Sequence, residues 1–442
     1  MVRFLHIADL HLGSQLPATF SNGTGEDDVL KTANRHAVER LIDVAIDEAV
    51  DFLVIAGDLY DNDARSVRAS TFLAEQFERL DDIGVPVYLI YGNHDPVGRA
   101  TTYVDLPENV HEFDDEEAEE VAFPDESAPE AYLWGQSYTD RHESRSMYSR
   151  FTPTDGSVPT IGVLHTGLDP DGRRYVPVAR NQLEGKEGIH YWALGHIHDA
   201  RVYTANQPVA FPGIPQGRQT NEAGLGGGYL VELATNDISM EFVPTSPVVW
   251  QTIDVDLSGL DSPTVADIKR EVIDAADDIA PPNPFAGTPV TMRGSDPARC
   301  IEGYVCRWRL TGNGSAHETL SRDEKVLLTL EEQLRDDLSG HQPGIWTESV
   351  RDETGPAIPD INDLRDEDRV IGETLTMFDE YDRETLRERF ADTDVVGLPW
   401  ESTTDHEAIE PDELALTDEK IDELIERAQQ RVLEELALGR AG

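Results

Sequence analysis

The stretch VRFLHIADLHLG, residues 2–13, decides the fold of the first half of the chain. It opens with an apolar run of the length of a buried strand, and Asp9 and His11 follow directly. In open α/β sheets, ligands bind beyond the carboxyl ends of the strands. The stretch therefore predicts a buried strand over residues 2–8 with a candidate site at its end.

Two further stretches repeat this arrangement. The apolar run 51–56 leads into Gly57-Asp58-Leu-Tyr-Asp61, and the run 85–91 leads into Gly92-Asn93-His94-Asp95. The segments between them, 33–50 and 65–80, carry apolar residues at helical spacing. Alternating strands and helices predict parallel pairing with helices on the faces of the sheet.

Later strands are separated by few long helices, which predicts a mixed or antiparallel arrangement. They are expected at 131–134, 160–165, 191–194, 209–211 and 228–233. His165-Thr166 and Gly195-His196-Ile-His198 each stand at the end of one of these runs. The acidic segment 114–130 between the two halves is predicted to be a loop or the flank of a hairpin.

The pattern changes near residue 246, so four segments are predicted. Residues 1–245 form the α/β domain. Residues 246–320 form a small α+β domain, with strands 250–257 and 304–310 and a helix that begins at Ser262-Pro263, with Ser262 as N-cap. Residues 321–400 form a helical or mixed extension. An acidic linker and an amphipathic helix, 418–438, occupy residues 401–442.

The composition is strongly acidic and poor in lysine. The chain of 442 residues has 87 Asp and Glu against 36 Lys and Arg, a formal charge of −51, and five of those 36 are lysines. Such a charge opposes compaction at ordinary salt and is screened at molar salt. The composition is therefore best explained by a protein that works in a halophilic cytosol. No apolar run reaches 18 residues and no signal peptide precedes the first strand, so a cytoplasmic protein outside the membrane is expected.

The five polar motifs together predict a two-metal centre. Each motif alone is more often a turn or a cap, but their joint occurrence at strand ends has no such explanation. Carboxylate, imidazole and amide ligands without thiolate suit Mn²⁺, Fe²⁺ or Zn²⁺. Eight candidate ligands are too many for one ion. Two ions about 3.5–4 Å apart would clamp a phosphoryl group and generate hydroxide for in-line attack.

The motif series resembles that of the calcineurin-like metallophosphoesterases. Four stretches bring it closest to the DNA-repair exonuclease branch, to SbcD-type and above all YhaO-type proteins: HIADLHLG (6–13), YWALGHIH (191–198), FPGIPQGR (211–218) and GYLVE (228–232). The resemblance covers residues 1–240 strongly and 246–390 more weakly. It implies a two-sheet α/β metallophosphoesterase sandwich with flanking helices, a small α+β capping domain and a helical C-terminal region.

The resemblance also implies roles by position. One ion would be held by Asp9, His11 and His198, the other by Asn93, His165 and His196, and Asp58 would bridge them. His94 would stabilise the transition state and protonate the leaving oxygen, and Asp95 would orient His94 or its loop. Asp61 and Arg218 are assigned to substrate binding, with Asp61 alternatively supporting a ligand.

Asp61 departs from the archaeal and eukaryotic repair nucleases, which usually carry His at this place.

The most favoured activity is Mn²⁺-dependent DNA exonuclease or endonuclease action in repair. A small-molecule phosphodiesterase or phosphomonoesterase, or a non-catalytic DNA-end scaffold, are the alternatives. An SMC-like ATPase is the expected partner through the terminal helix, which could instead pack on its own domain, and a homodimer is a further option. Arginines 141, 145 and 150 are candidates for DNA-backbone contact or for balancing nearby acids.

Overall fold

The computed structural model describes residues 1–357, except 15, 17–26, 62–65, 100–103, 154–155, 169–173, 205–206, 282–284, 286–289, 294–296, 324 and 339. The predictions for residues 358–442, including the linker and the helix at 418–438, lie outside the described residues. The chain divides into two compact units. The first comprises Met1–Ile253, Ala276–Arg307 and Glu332–Ser349, and the second comprises Asp254–Ala275, Trp308–Glu331 and Val350–Gly442. The predicted domain boundaries stay predictions.

The helices and strands predicted over the first 234 residues are all present in the predicted order, together with short elements that were not predicted. The strands are β1 (Val2–Ile7), β2 (Phe52–Ala56), β3 (Val87–Ile90), β4 (Val110–Glu112), β5 (Glu119–Phe123), β6 (Ala131–Gly135), β7 (Thr160–His165), β8 (Tyr191–Gly195), β9 (Arg201–Tyr203), β10 (Val209–Phe211), β11 (Gly227–Ala234), β12 (Asp237–Pro244), β13 (Val248–Asp256), β14 (Thr291–Met292), β15 (Gly303–Thr311) and β16 (Gly344–Asp352). The α-helices are α1 (Asp27–Asp47), α2 (Val67–Asp81), α3 (Arg180–Glu184), α4 (Val265–Asp277), α5 (Ser315–Leu320) and α6 (Lys325–Asp337).

Two large sheets form the first unit. One has the order β14-β12-β11-β1-β2-β3-β4, with β1, β2, β3 and β4 parallel and β11 antiparallel to β1. The other has the order β5-β6-β7-β8-β10-β9, with parallel strands in its centre and an antiparallel strand at each edge. A smaller sheet has the order β13-β15-β16. The predicted parallel first half and mixed second half are both present.

The alternation of side chains along β1 explains the layers. Leu5 and Ile7 lie in a core cluster with apolar residues of α1 and α2, so these helices cover the outer face of the first sheet. Phe4 and His6 point the other way, and both rings contact Tyr191 of the second sheet. The His6 ring also lies 2.9 Å from the Tyr191 hydroxyl through its Nδ1. The inner faces therefore pack against each other, and the predicted two-sheet sandwich with flanking helices is confirmed.

Beyond residue 234 the structure differs from the sequence prediction at the start of one helix and at two strands. Helix α4 begins at Val265, because Thr264 and Asp267 exchange the capping hydrogen bonds and Ser262 has a φ of 49°. Strand β12 was not predicted, because its mixture of polar and apolar residues on a half-buried strand gives a weak signal. Strand β16, which completes the smaller sheet, lies in the extension expected to be helical or mixed and was not predicted as a separate strand.

Candidate metal centre

The five motifs lie at the carboxyl ends of β1, β2, β3, β7 and β8, so both large sheets contribute to one cluster. The chain turns sharply at three of these ends: Asp9 and Asp58 each have a φ of 53°, and His196 has a φ of 104°. Such conformations are costly for residues with a side chain and are concentrated at functional sites. A Cβ on Gly92 would lie 2.2 Å from Oδ1 of Asp58, so glycine permits the β2 and β3 loops to meet.

The first group of donors comprises Asp9, His11 and His198, and their ligand atoms lie within 4.8 Å of one another. The Nε2 atoms of the two histidines face each other at 3.1 Å. The Asp9 carboxylate accepts the backbone N–H of His196 at 3.0 and 3.1 Å, which fixes its direction across the two sheets. These are the three residues predicted to hold one ion, and the structure brings them together.

The second group surrounds Asn93. Its Oδ1 lies 3.0 Å from Nε2 of His165 and 3.0 Å from Nδ1 of His196. Asp58 lies between the groups, with Oδ2 at 3.5 Å from Nε2 of His165 and 3.8 Å from Nε2 of His11. The position of Asp58 is therefore that required of the predicted bridging ligand.

The donor chemistry fits a pair of divalent cations. Nδ1 of His165 lies 2.9 Å from the carbonyl oxygen of Ala56, which can only accept, so Nδ1 carries a proton. The lone pair on Nε2 of a neutral His165 then faces the oxygens of Asn93 and Asp58. Acceptors that face one another in a buried cluster require a cation between them, whether a proton or a metal ion. Carboxylate, imidazole and amide oxygen are together suited to Mn²⁺, Fe²⁺ or Zn²⁺.

Burial and mutual charge set the pKa values of the cluster. Burial raises the pKa of Asp9 to about 6. Burial would raise that of Asp58 too, but the imidazole of His165 holds it well below its usual range. Burial alone would lower the pKa of His165, and the Asp58 carboxylate instead raises it to about 9. The pKa of His196 falls to about 3 through burial and its position beside His165. Asp58 thus stays ionised at the centre of the cluster, as expected of a pocket that binds cations.

His94 lies at the rim of this cluster, and its side chain is 33% exposed. Its backbone N–H donates to Oδ1 of Asp58 at 2.9 Å, and its ring Nδ1 lies 2.9 Å from Oδ1 of Asp61. Burial would lower the pKa of His94, but the hydrogen bond with Asp61 raises it above its usual value. Ser14 donates to Oδ2 of Asp61 at 2.7 Å, and Nη1 of Arg218 lies 3.5 Å from the same oxygen. Asp61 and Arg218, both predicted to bind substrate, are thus held by protein groups.

Asp95 lies behind the cluster, and its side chain does not reach the rim. It is buried, and its carboxylate accepts backbone N–H groups of Leu59 at 2.7 Å, Tyr60 at 3.2 Å and Gly92 at 2.9 Å. These bonds join the loop after β2 to the loop after β3. Burial, together with the nearby Asp58, raises the pKa of Asp95 to about 7. Asp95, counted among the catalytic residues together with His94 for its expected role in orienting His94 or its loop, therefore lies where it holds the two loops together.

Sequence reasoning missed Glu222, which is 6% exposed and lies 2.7 Å from Nδ1 of His198. Its signal was weak, because an acid four residues after Arg218 in a turn is common among 87 acids. The arginines proposed for DNA contact are in part engaged elsewhere. Arg145 donates to the carbonyl of Asp115 at 2.8 Å, and Arg150 donates to that of Glu116 at 3.1 Å. Both bonds go to backbone carbonyls of the acidic segment, and Arg145 also forms an ion pair with Glu143, as the charge-balancing alternative expects for that arginine.

Comparison with known proteins agrees with this geometry. Residues 2–200 match the family described as calcineurin-like phosphoesterase. The chain is 38% identical over 262 residues to the uncharacterized metallophosphoesterase YhaO of Bacillus subtilis, a match that covers 58% of this chain and 63% of that protein. It is 29% identical over 208 residues to the DNA double-strand break repair protein Mre11 of Sulfurisphaera tokodaii, covering 46% and 50%. It is 25% identical over 254 residues to the protein of the same name from Archaeoglobus fulgidus, covering 53% and 55%.

The matched region spans between half and two thirds of these relatives' own lengths. The family match at residues 2–200 contains all seven candidate metal ligands, of which the last is His198. No helix among the described residues is long and apolar enough to cross a membrane. The two-sheet sandwich and the Asp/His cluster at its strand ends agree with the family match: residues 2–200 of the chain are similar to the calcineurin-like phosphoesterases.

Proposed function

We propose that this chain is a dimetal nuclease that hydrolyses phosphodiester bonds of DNA, with Mn²⁺ as its working metal. One observation carries the proposal. Two donor groups share Asp58, and the half-exposed ring of His94 stands beside them where a phosphoester can approach. A pair of cations with a general acid at its rim suits in-line displacement at phosphorus.

Each residue has a defined task in this reaction. When bound, the two ions supply a hydroxide nucleophile and neutralise the phosphoryl oxygens. Asp9, His11 and His198 would hold one ion, Asn93, His165 and His196 would hold the other, and Asp58 would be shared between them.

His94 donates a proton from Nε2 to the departing oxygen. Its Nδ1–H remains bonded to Asp61, which keeps the ring oriented and favours the protonated form. The backbone N–H of His94 holds the shared Asp58 carboxylate at the same time.

DNA is proposed as the substrate because of the relatives. Two of them, 29% and 25% identical to this chain over 208 and 254 residues, are named DNA double-strand break repair proteins. A role in DNA repair follows from the same likeness. A small-molecule phosphodiesterase is the competing function, since it would use the same metal cluster.

The decisive experiment uses the purified protein in molar KCl. End-labelled single-stranded and double-stranded DNA are incubated with Mn²⁺, Mg²⁺ or Zn²⁺, each with and without EDTA. Bis-p-nitrophenyl phosphate serves as a small-molecule substrate in parallel. EDTA-sensitive cleavage of DNA that is fastest with Mn²⁺ is expected. Hydrolysis of the small ester without cleavage of DNA would refute the nuclease assignment and leave the phosphoesterase assignment intact.

An SMC-like ATPase is the proposed partner, and its docking element is the apolar stripe of the sequence 418–438. The stripe contains Leu424, Ile425 and Val432 at helical spacing after an acidic segment. Co-purification of the full chain with a co-expressed SMC-like ATPase should be lost in Ile425→Asp and kept in Glu426→Lys. Light scattering distinguishes this complex from a homodimer. Equal co-purification of both variants would contradict the docking element.

A halophilic setting is proposed for the whole protein. The charge of −51 and the near absence of lysine support it. The protein would then work in a cytoplasm of molar salt, where the screening length is about 3 Å.

A further inference from the structure

Glu222 joins the metal cluster to Arg218 through its two carboxylate oxygens. Oε1 accepts from Nδ1 of His198 at 2.7 Å and from Nη2 of Arg218 at 2.7 Å. Oε2 accepts from the backbone N–H of Arg218 at 2.7 Å and from its Nε at 3.3 Å. Four donors thus converge on one buried carboxylate, which is more than a surface ion pair requires.

The bond to His198 decides which ring nitrogen carries the proton. A carboxylate can only accept, so Nδ1 of His198 must be the protonated nitrogen. Nε2 then keeps its lone pair, and it is Nε2 that faces the first donor group beside His11. A hydrogen bond of this kind orients a ligating imidazole and increases its basicity.

Arg218 holds Glu222 in place and reaches toward Asp61. Its guanidinium gives two of its nitrogens to Glu222, and the third lies 3.5 Å from Asp61. Its side chain is 16% exposed. Because its hydrogen-bond donors face these two carboxylates, Arg218 is poorly placed to bind a substrate phosphate as its main task.

We propose that Glu222 is the positioning residue of the first metal site, where it fixes His198 with Nε2 as the metal-ligating atom, and that Arg218 supports Glu222 rather than binding substrate. This inference rests on the proposed dimetal function. It adds two residues to the machinery of the site, neither of which is a metal ligand.

Glutamine at position 222 tests the inference because it keeps the shape and removes one acceptor. The single remaining carbonyl oxygen cannot serve Arg218 on both sides and also accept from His198. If the amide nitrogen faces His198, it favours the opposite tautomer, with the proton on Nε2. We therefore expect Glu222→Gln to lower the affinity for one ion by about 10- to 100-fold, the usual effect of losing the hydrogen-bond partner of a ligating histidine. The affinity for the other ion should stay unchanged.

Metal binding is measured directly, by titrating the metal-free protein with Mn²⁺ and counting free Mn²⁺ by electron paramagnetic resonance. Glu143→Gln is the matched control, since Glu143 is also buried and also accepts from an arginine, Arg145, but touches none of the candidate ligands. If Glu222→Gln bound both Mn²⁺ ions with the affinities of the wild-type protein, the inference would be overturned. Failure of the wild-type chain to bind two ions would instead refute the proposed function.

The histidine tautomer gives a second test that does not depend on whether Glu222→Gln folds. In metal-free wild-type protein labelled with ¹⁵N-histidine, NMR at pH 8.5 should show His198 protonated on Nδ1 and bare on Nε2. The signal is assigned by its absence from His198→Gln. A proton on Nε2 with a bare Nδ1 would overturn the inference even if Glu222→Gln failed to fold.

Discussion

Replacing His94 with alanine separates chemistry from metal binding, because the residue contributes to the site through two different groups. Its backbone N–H holds Asp58, and alanine keeps that bond. Its ring bonds to Asp61 and points to the rim, and alanine removes it. The variant should therefore keep both ions while it loses the proton donor.

The size of the effect follows from the same geometry. The ring is partly exposed and makes one side-chain hydrogen bond, so its loss should cost the fold only about 0.5–1.5 kcal/mol. Loss of a general acid should slow turnover by about 10²–10⁴-fold, which corresponds to about 2.7–5.4 kcal/mol of transition-state stabilisation. A phosphoester with a better leaving group should be affected less, because its departing oxygen needs less protonation.

The assay compares kcat for DNA and for bis-p-nitrophenyl phosphate, with bound Mn²⁺ counted in the same preparations. The metal count is essential because His94, His11 and Asp58 also offer ligand atoms that lie within 4.8 Å of one another and could together hold an ion. If His94→Ala loses an ion, the residue is a ligand and the proton-donor assignment is wrong. Unchanged turnover with both ions bound would equally refute the reasoning.

Three other perturbations have definite expected outcomes. Asp58→Asn should bind fewer than two metal ions and lose DNA cleavage, which elemental analysis and the DNA assay measure. Full activity of this variant would refute the dimetal assignment. Burial lowers the pKa of His6 to about 3, so between pH 6.5 and pH 3 the unfolded state binds a proton that the folded state does not. The free energy of unfolding should therefore fall by about 2 kcal/mol between pH 8 and pH 5 because of this residue. Denaturant titrations of His6→Gln should show a pH-dependent loss of stability that is smaller by that amount. Lowering KCl from molar to 0.1 M should reduce the melting temperature strongly, since the screening length grows from about 3 to about 10 Å; a constant melting temperature would refute the halophilic setting.

The sandwich was predictable because its strands are buried on both faces. Runs such as Phe52–Ala56 are wholly apolar and end at a glycine, so their type and extent are clear from sequence. Strand β12 was not predictable in this way, because its partly exposed face leaves no continuous apolar run. The N-cap of α4 was misplaced since Ser262 and Thr264 carry the same capping chemistry, and only the reciprocal bond with Asp267 distinguishes them.

The metal-binding cluster was predictable because each of its motifs stands at a strand end, and parallel topology brings such ends together. The supporting residues do not have that property. Glu222 lies in a turn between β10 and β11, and its position against His198 depends on the course of the whole segment from 211 to 226. Asp95 was found by its motif, but its three backbone partners are fixed by two loops, so its role could be read only from their geometry.

The acidic composition and the proposed DNA substrate are compatible because the charges act over different distances. The seven candidate ligands include only two carboxylates, Asp9 and Asp58, so two bound divalent cations would give the centre a net charge of about +2 if the imidazoles are neutral. A phosphodiester group that enters the site contacts this centre and the ring of His94 directly. The remaining negative surface acts through solvent, and at molar salt its repulsion falls away within about 3 Å. Affinity for DNA should then depend on the bound ions and on direct hydrogen bonds much more than on the release of counterions, which contributes little in brine.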